Sequence, residues 1–380
     1  MTAKAARPTR ATDACESCIR RSWLLAELSA PLDFWARDRS RLVELLELED
    51  AELLQAVGGR RRAELTAHYR RFQSTELALG RHIEAVCRHA RDFPSGLRGP
   101  AAPRMLYVSG GAARLATLTA APVVAIVGSA RASDYGMEMA KSLGRGLAAS
   151  GVTVTSGLGD GIALAAHAGA LELDGASVAV MDGGLDVSCP PRRRATYERL
   201  MRRGCAVSEL PCDRRGRRWG SVASVRIVAA LAQLTVVVEA SENPRELAPA
   251  YAAVTLGRTV AAIPGRATSA QSAGTNSLLM EGAPLVRGAQ DVLELLHVAG
   301  KTPAGPAAAD SRPALAPRLR NTLELVGAGR DTAEKLTRDG ADLENVLLML
   351  SELELMGLLA RGDGGRYVPR EALAASRNGG

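Results

Sequence analysis

The middle of the chain alternates short apolar runs with amphipathic stretches, and the segments on either side have a different texture. Between residues 18 and 89 apolar positions recur at spacings of three and four: Trp23, Leu24, Leu25 and Leu28, then Leu42, Leu45 and Leu46, then Leu53 and Leu54. That period predicts a small helical domain. Residues 93–105, with Pro94, Gly96, Gly99, Pro100 and Pro103, break it and read as a connector. Then come short, mostly β-branched runs at 123–127, 152–155, 177–181, 205–207, 235–238 and 259–263. Continuous apolar runs of this kind suit strands buried on both faces of a parallel sheet. The stretches between them, such as 136–149, 162–173 and 194–203, are long enough for crossover helices. Repeated βα units predict an α/β fold, a Rossmann-like, doubly wound, mostly parallel sheet. The Pro- and Ala-rich stretch at 300–317 has no hydrophobic period and reads as a linker. Beyond it, helices near 319–326, from Asp331 and over 342–356 precede Leu358, Leu359, a GDGG turn and Tyr367-Val368, a winged-helix outline. The expected organisation is therefore a helical N-terminal domain (1–92), a Rossmann-like domain (93–299), a linker (300–317) and a winged-helix domain (318–380).

At 380 residues and 47% hydrophobic content, the chain supports one sizeable core and one or two small satellites. No run of about 18 apolar residues occurs. The first residues, with Arg7, Arg10, Asp13 and Glu16, lack the apolar stretch of a signal peptide. The expectation is a cytoplasmic protein with no membrane partner. Six cysteines in this length do not make a disulfide scaffold. Net charge is only +7, but residues 191–226 hold eleven arginines against Glu198, Glu209 and Asp213, a local +8. Such a band is a footprint for a polyanion or, alternatively, a solvated Arg-rich surface. Aromatic residues make up 3% of the chain, too few for a base-stacking platform, so a nucleic acid would be held mainly by its phosphates.

Three glycine-rich turns follow successive strands. VGSARASDYG places Gly128 and Ser129 at a strand end and Gly136 at a helix start; Ser156-Gly157-Leu158-Gly159-Asp160-Gly161 follows the next strand, and Asp182-Gly183-Gly184-Leu185-Asp186 the one after. Backbone amides in such turns can approach anionic oxygens, and the turns would converge on one rim, the carboxyl end of the sheet. The plainer alternative is that the glycines only close tight strand-to-helix turns. No GxGxxG fingerprint with a following ribose-binding acid is present, which argues against a nicotinamide enzyme. His167 and Glu239 have no evident catalytic partners in the sequence, and His167 reads as a packing residue rather than a general base. Near the N-terminus, Cys15-x-x-Cys18 with Cys87-x-His89 forms a four-ligand set compatible with structural zinc, or else with reduced thiols. From Ser311 onward ten basic and ten acidic residues cancel, and the expected recognition helix carries Asp342, Glu344, Glu352 and Glu354. That charge repels phosphates and favours a protein contact for the winged-helix domain.

Taken in order, VVAIVGSARASDYG, VTVTSGLGDGIALAAHAGAL, VAVMDGGLDVSCP, VSELP, VRIVAAL, VVVEA, LGRTVAAIPG and SAGTNSLLMEGAPLV resemble the serial motifs of the DprA/Smf family over residues 123–295. The resemblance implies a non-enzymatic protein that needs no cofactor. Such a protein binds and protects single-stranded DNA, loads a RecA-type recombinase onto it in natural transformation and recombination, and often forms a homodimer. On that reading Gly128, Ser129, Arg131, Ser156, Gly157, Gly159, Gly161, Gly183, Gly184, Arg192, Arg193, Arg194, Arg226, Gly274 and Asn276 are the DNA- or phosphate-binding candidates. The resemblance is to a divergent member. The family's Arg after Gly-Ser is Ala130 here, with Arg131 one place on, and its SGLARGID turn carries Gly159, Asp160 and Ala163 instead. Its Phe-Pro-x-Arg-Asn-Arg keeps only Arg226, beside Ser224 and Val225, and its Ser-Gly-Ser-Leu-Ile-Thr-Ala has become residues 244–250. The alternatives are a nucleotide-binding enzyme or sensor on the related scaffold, phosphoribohydrolase-like although no PGGxGTxxE turn occurs, and a degenerate paralogue with weakened DNA binding.

Overall fold

The structure, a computed structural model, describes residues 14–369 apart from 74–78, 81, 98–101, 174–175, 187–190, 213, 215–217, 299–315, 328–329, 338–341, 356–357 and 362–364. The linker reading at 300–317 falls, up to residue 315, outside the described residues. The chain divides into two compact units, Met1–Gly305 and Pro306–Gly380.

Among the described residues the first unit opens with five α-helices, α1 (Glu16–Glu27), α2 (Ser29–Trp35), α3 (Arg39–Glu47), α4 (Asp50–Val57) and α5 (Arg62–Arg71). Their leucines, spaced by three and four, meet in one apolar cluster. Arg21, buried at its centre, donates to Asp50 (2.7 Å) and to the carbonyls of Leu46 and Leu48, tying α1 to the ends of α3 and α4. The same apolar cluster takes in Leu210, Trp219 and Ala223, so these helices share a core with the sheet that follows.

Eight strands form that sheet: β1 (Ile83–Cys87), β2 (Met105–Ser109), β3 (Val123–Val127), β4 (Thr153–Gly157), β5 (Ser177–Val180), β6 (Cys205–Ser208), β7 (Leu234–Val237) and β8 (Thr259–Ala262). Their order is β1-β2-β6-β5-β4-β3-β7-β8, with β3 to β8 parallel and β1 and β2 antiparallel at one edge. The connections carry α6 (Ala112–Ala120) before β3, then α7 (Asp134–Ala149), α8 (Ile162–Ala170), α9 (Pro191–Arg203), α10 (Arg218–Leu231) and α11 (Pro244–Thr255), with α12 (Ala273–Met280) and α13 (Ala289–Val298) after β8. β3 shows why both faces are covered. Val123, Ala125 and Val127 pack with Leu115, Ile227 and Leu247 on one face, while Val124 and Ile126 pack with Leu143, Ile162 and Val292 on the other. The fold is the α/β, Rossmann-like, mainly parallel architecture expected.

Two strands are absent from the periodicity reading: β2, which follows the 93–105 connector, and β1, in the segment read as helical through to residue 89. Ile83–Cys87 is an edge strand in register with β2 from Ile83 opposite Ser109 to Cys87 opposite Met105. Five residues with a single exposed position, Glu84, are too few to separate the helical from the strand period. In the second unit, α14 (Pro317–Gly327), α15 (Ala333–Thr337) and α16 (Leu343–Leu355) enclose a small core with the antiparallel pair β9 (Leu359–Arg361) and β10 (Tyr367–Pro369).

Two buried side chains make the first unit testable. Trp219 is 1% exposed and its indole N–H donates to the Ser29 hydroxyl at 2.8 Å, so it joins α10 to α2. Trp219→Ala should cost about 3–5 kcal/mol, read as a lowered urea midpoint at unchanged slope. His167 is fully enclosed, with Nε2 3.0 Å from the Gly157 carbonyl and Nδ1 2.7 Å from the Ser177 hydroxyl, and burial holds its pKa down at about 4. Because the folded value lies below the unfolded one near 6.5, its contribution is intact above pH 6.5 and is lost as pH falls towards 4. The loss should reach the order of 3 kcal/mol. Urea unfolding across that window should show the decline, and His167→Gln should flatten it.

Candidate nucleic-acid interface

β3 feeds β4 on one side while its other neighbour, β7, feeds β8. Strand order therefore reverses between β3 and β7, which opens a crevice at their carboxyl ends. The backbone is tight here. A Cβ on Gly128 would stand 2.4 Å from the Glu239 carbonyl, the same oxygen that accepts the Ser129 N–H at 2.7 Å. Gly161 has φ +69°, and a Cβ there would meet the Ser129 carbonyl at 2.3 Å. These two glycines are demanded by the packing of one turn on another.

The helix N-terminus that would serve a phosphate already faces an acid of this chain. Ser133 caps α7 by accepting the Gly136 N–H at 3.1 Å. Its own N–H donates to Glu239 at 2.8 Å, and its hydroxyl donates to the other oxygen of that carboxylate. Glu239 is 4% exposed. Beside it Glu246 accepts from the Ser129 hydroxyl (3.1 Å), the Ser241 N–H (2.8 Å) and the Ser241 hydroxyl (3.1 Å). Glu246 was not singled out in the sequence, although Asn243-Pro244 announces a helix start and places it at the third position, where an acid suits the dipole. A cleft of about 450 Å³ opens next to the pair, lined by Ser133, Tyr135, Glu239, Gly265, Arg266 and Ser272. Tyr135 and Arg266 are exposed at it, and Arg131 is exposed on the preceding turn.

The second turn is more open. Ser156 is buried and donates to the Ile126 carbonyl at 2.7 Å, but Gly157 and Gly159 are half-buried, and a Cβ on Gly159 would meet nothing within 4 Å. Asp160 faces α9 and receives the Arg193 guanidinium in a two-point contact, Nε to Oδ1 at 2.9 Å and Nη2 to Oδ2 at 3.1 Å. Gly183 and Gly184 in the third turn are buried, and the Gly184 N–H donates to the Arg214 carbonyl at 2.7 Å.

The arginine band does not form one patch. Arg193 and the exposed Arg194 lie in the first turn of α9, at the rim, as does the backbone of Arg192, whose side chain is outside the described residues. Arg202 and Arg203 end the same helix, which spans 13 residues, or roughly 20 Å, and runs back to the start of β6 at the opposite edge of the sheet. Arg218 is exposed at the start of α10, while Arg215 and Arg217 are outside the described residues. Arg226 is 7% exposed and ion-paired with Glu209 at the end of β6. Gly274 packs under the Ser241 carbonyl, which a Cβ would approach to 2.3 Å. Asn276 holds both backbone groups of Gly265, at 3.1 and 3.3 Å. Away from the rim, Cys15, Cys18, Cys87 and His89 come together with all four donor atoms within 4.8 Å of one another.

Known proteins fit this architecture. Residues 84–297 match the model of the family described as DNA recombination-mediator protein A. A DNA processing protein DprA of Mycobacterium tuberculosis is 38% identical over 246 residues, covering 63% of this chain and 62% of the relative, so the chain spans under two thirds of that relative's length. The crystal structure of DNA processing protein A from Streptococcus pneumoniae superposes with a TM-score of 0.58 at 27% identity, covering 73% of this chain and 95% of that one. DNA processing protein A of Helicobacter pylori, described for its single-stranded DNA binding mode, shares the fold at a TM-score of 0.50 and 24% identity, covering 57% of this chain and 96% of its own. With more than half of its length matched to the family model, the chain belongs to the DNA recombination-mediator protein A family.

Proposed function

We propose that this chain binds single-stranded DNA at the rim formed by the second turn and the start of α9, protects it, and passes it to a RecA-type recombinase without catalysing a reaction. The observation that carries the reading is the exposed Arg194, with Arg193 and the backbone of Arg192, beside the open Gly157–Gly159 turn in a member of this family. The Helicobacter relative's single-stranded DNA binding supports it. His167 suits a structural role, both ring nitrogens being engaged within the fold. A cytoplasmic location and a homodimer belong to the same proposal. Among the described residues no helix is long and apolar enough to cross a membrane.

The acids favour a second reading, a scaffold whose DNA grip has weakened. Glu239 and Glu246 oppose a phosphate at the switch point, and they equally disfavour a nucleotide there. The C-terminal unit, proposed as a winged helix, fits a protein contact: Leu343, Leu347 and Leu348 are exposed on α16, while its Glu352 and Glu354 pair with Arg318 and Arg361 of the same unit.

A salt series of anisotropy titrations with labelled oligo-dT, against a duplex of equal length, tests the reading. The expected outcome is preference for the single strand, with log K falling as log salt rises. Reversing Arg192, Arg193 and Arg194 to Glu should flatten that slope by about 0.7 for each phosphate that is no longer neutralised. Absence of binding at low salt would leave the degenerate-scaffold reading standing. On the same strand, a shortened lag in recombinase filament assembly is expected, and an unchanged lag would remove the loading role.

A further inference from the structure

We propose that Cys15, Cys18, Cys87 and His89 form a structural zinc site that fastens the start of α1 to the end of the edge strand β1. The sequence offers the four residues in two distant pairs; folding brings the donor atoms into one cluster. His89 Nδ1 stands 3.3 Å from the Cys15 sulfur, 3.5 Å from that of Cys18 and 3.9 Å from that of Cys87. A tetrahedral zinc with Zn–S of about 2.3 Å and Zn–N of about 2.05 Å requires an S···N edge of about 3.5 Å. The three distances bracket that edge, and all four donor atoms lie within 4.8 Å of one another, the compactness that a single shared ion requires.

The donor chemistry selects the metal. Three thiolates and one imidazole are a soft, four-coordinate set suited to zinc, whereas calcium and magnesium require oxygen ligands. With four protein ligands no position is left for water or substrate, which assigns the ion a structural task. The surroundings are those of a thiolate centre. The Cys15 N–H donates to the Cys87 sulfur at 3.4 Å, and the Ser17 hydroxyl lies 3.2 Å from the Cys15 sulfur. Cys18 and Cys87 are each 1% exposed within the apolar cluster that joins α1 to β1 and β2, while Cys15 is half-buried and His89 exposed, leaving a path for the metal.

The consequence lies in chain connectivity. Cys15 and Cys87 are 72 residues apart, so one ion closes a loop containing all five N-terminal helices. That closure removes unfolded-state freedom in the way a disulfide does. It is independent of the DNA-binding proposal.

The test uses the full chain purified without added chelator. One zinc per chain is expected, surviving gel filtration. Replacement by cobalt should give the intense visible bands of a tetrahedral ion together with thiolate-to-cobalt charge transfer in the near ultraviolet. His89→Ala should abolish stoichiometric metal, whereas His89→Cys, which keeps four ligands, should retain it with shifted cobalt bands. A strong chelator should lower the Tm of the native chain, with zinc restoring it. A metal-free native chain whose Tm ignores both chelator and zinc would overturn the proposal, as would a Cys15–Cys18 disulfide in place of metal. Zinc that persists unchanged in both His89→Ala and Cys15→Ser would place the ion elsewhere and overturn it equally.

Discussion

The backbone of Ser129 is the point on which the rim is built. Its N–H reaches across to the Glu239 carbonyl at the end of β7, and its carbonyl receives the Ile162 N–H at the start of α8. Three strand-end segments, following β3, β4 and β7, are thereby held at backbone-to-backbone distance, which only residues lacking a side chain tolerate at Gly128 and Gly161. A methyl group at either position would separate the turns and release both hydrogen bonds. Everything further out, from the α7 cap to the approach of α9, is placed relative to this contact.

That closeness has an electrostatic result. In an open α/β sheet the switch point ordinarily offers helix N-termini to an anion. Here the anions are supplied from within: Glu239 takes the Ser133 N–H and hydroxyl, and Glu246 binds Ser241 and the Ser129 hydroxyl. The exposed Arg194 and the half-buried Arg193 at the start of α9 stand on the other side of the second turn, towards β5 and β6. The β3–β7 side therefore holds two carboxylates, Glu239 buried and Glu246 half-buried, with the exposed Arg131 and Arg266, and the β4–β6 side exposes Arg194 together with Asp182 and Asp186.

The six parallel strands were legible because each is a compact apolar run with buried residues on both faces, and the glycine turns because strand and helix periods change abruptly there. β1 was not, since five residues at a sheet edge carry too little period. The arginine segment was misleading for a geometric reason. Nearness along the chain groups Arg194 with Arg202 and Arg226, but a helix running the depth of the sheet carries Arg202 away from the rim, and the register of α10 turns Arg226 inward to Glu209. Asn276 likewise spends its side chain on Gly265. The cysteine and histidine pairs show the opposite case, where spacing alone named four residues and the packing of α1 against β1 and β2 supplied the geometry that spacing lacks.

The departure at Asp160 has a structural counterpart. In the resembling motif this position of the turn is cationic; here it is an acid, and the guanidinium of Arg193 from α9 comes to it with two-point geometry. The guanidinium at the second turn is thus carried by the neighbouring helix, and with Asp160 it makes a neutral pair. Both side chains are partly exposed, at 28% and 46%, so the pair stabilises the fold by no more than about 1 kcal/mol. A contact that weak fixes orientation without locking it, and a phosphate arriving at the turn competes with the Asp160 carboxylate for the same two N–H groups. On the proposed DNA-binding reading, Arg193 is held in place by an internal anion and would exchange that anion for a phosphate.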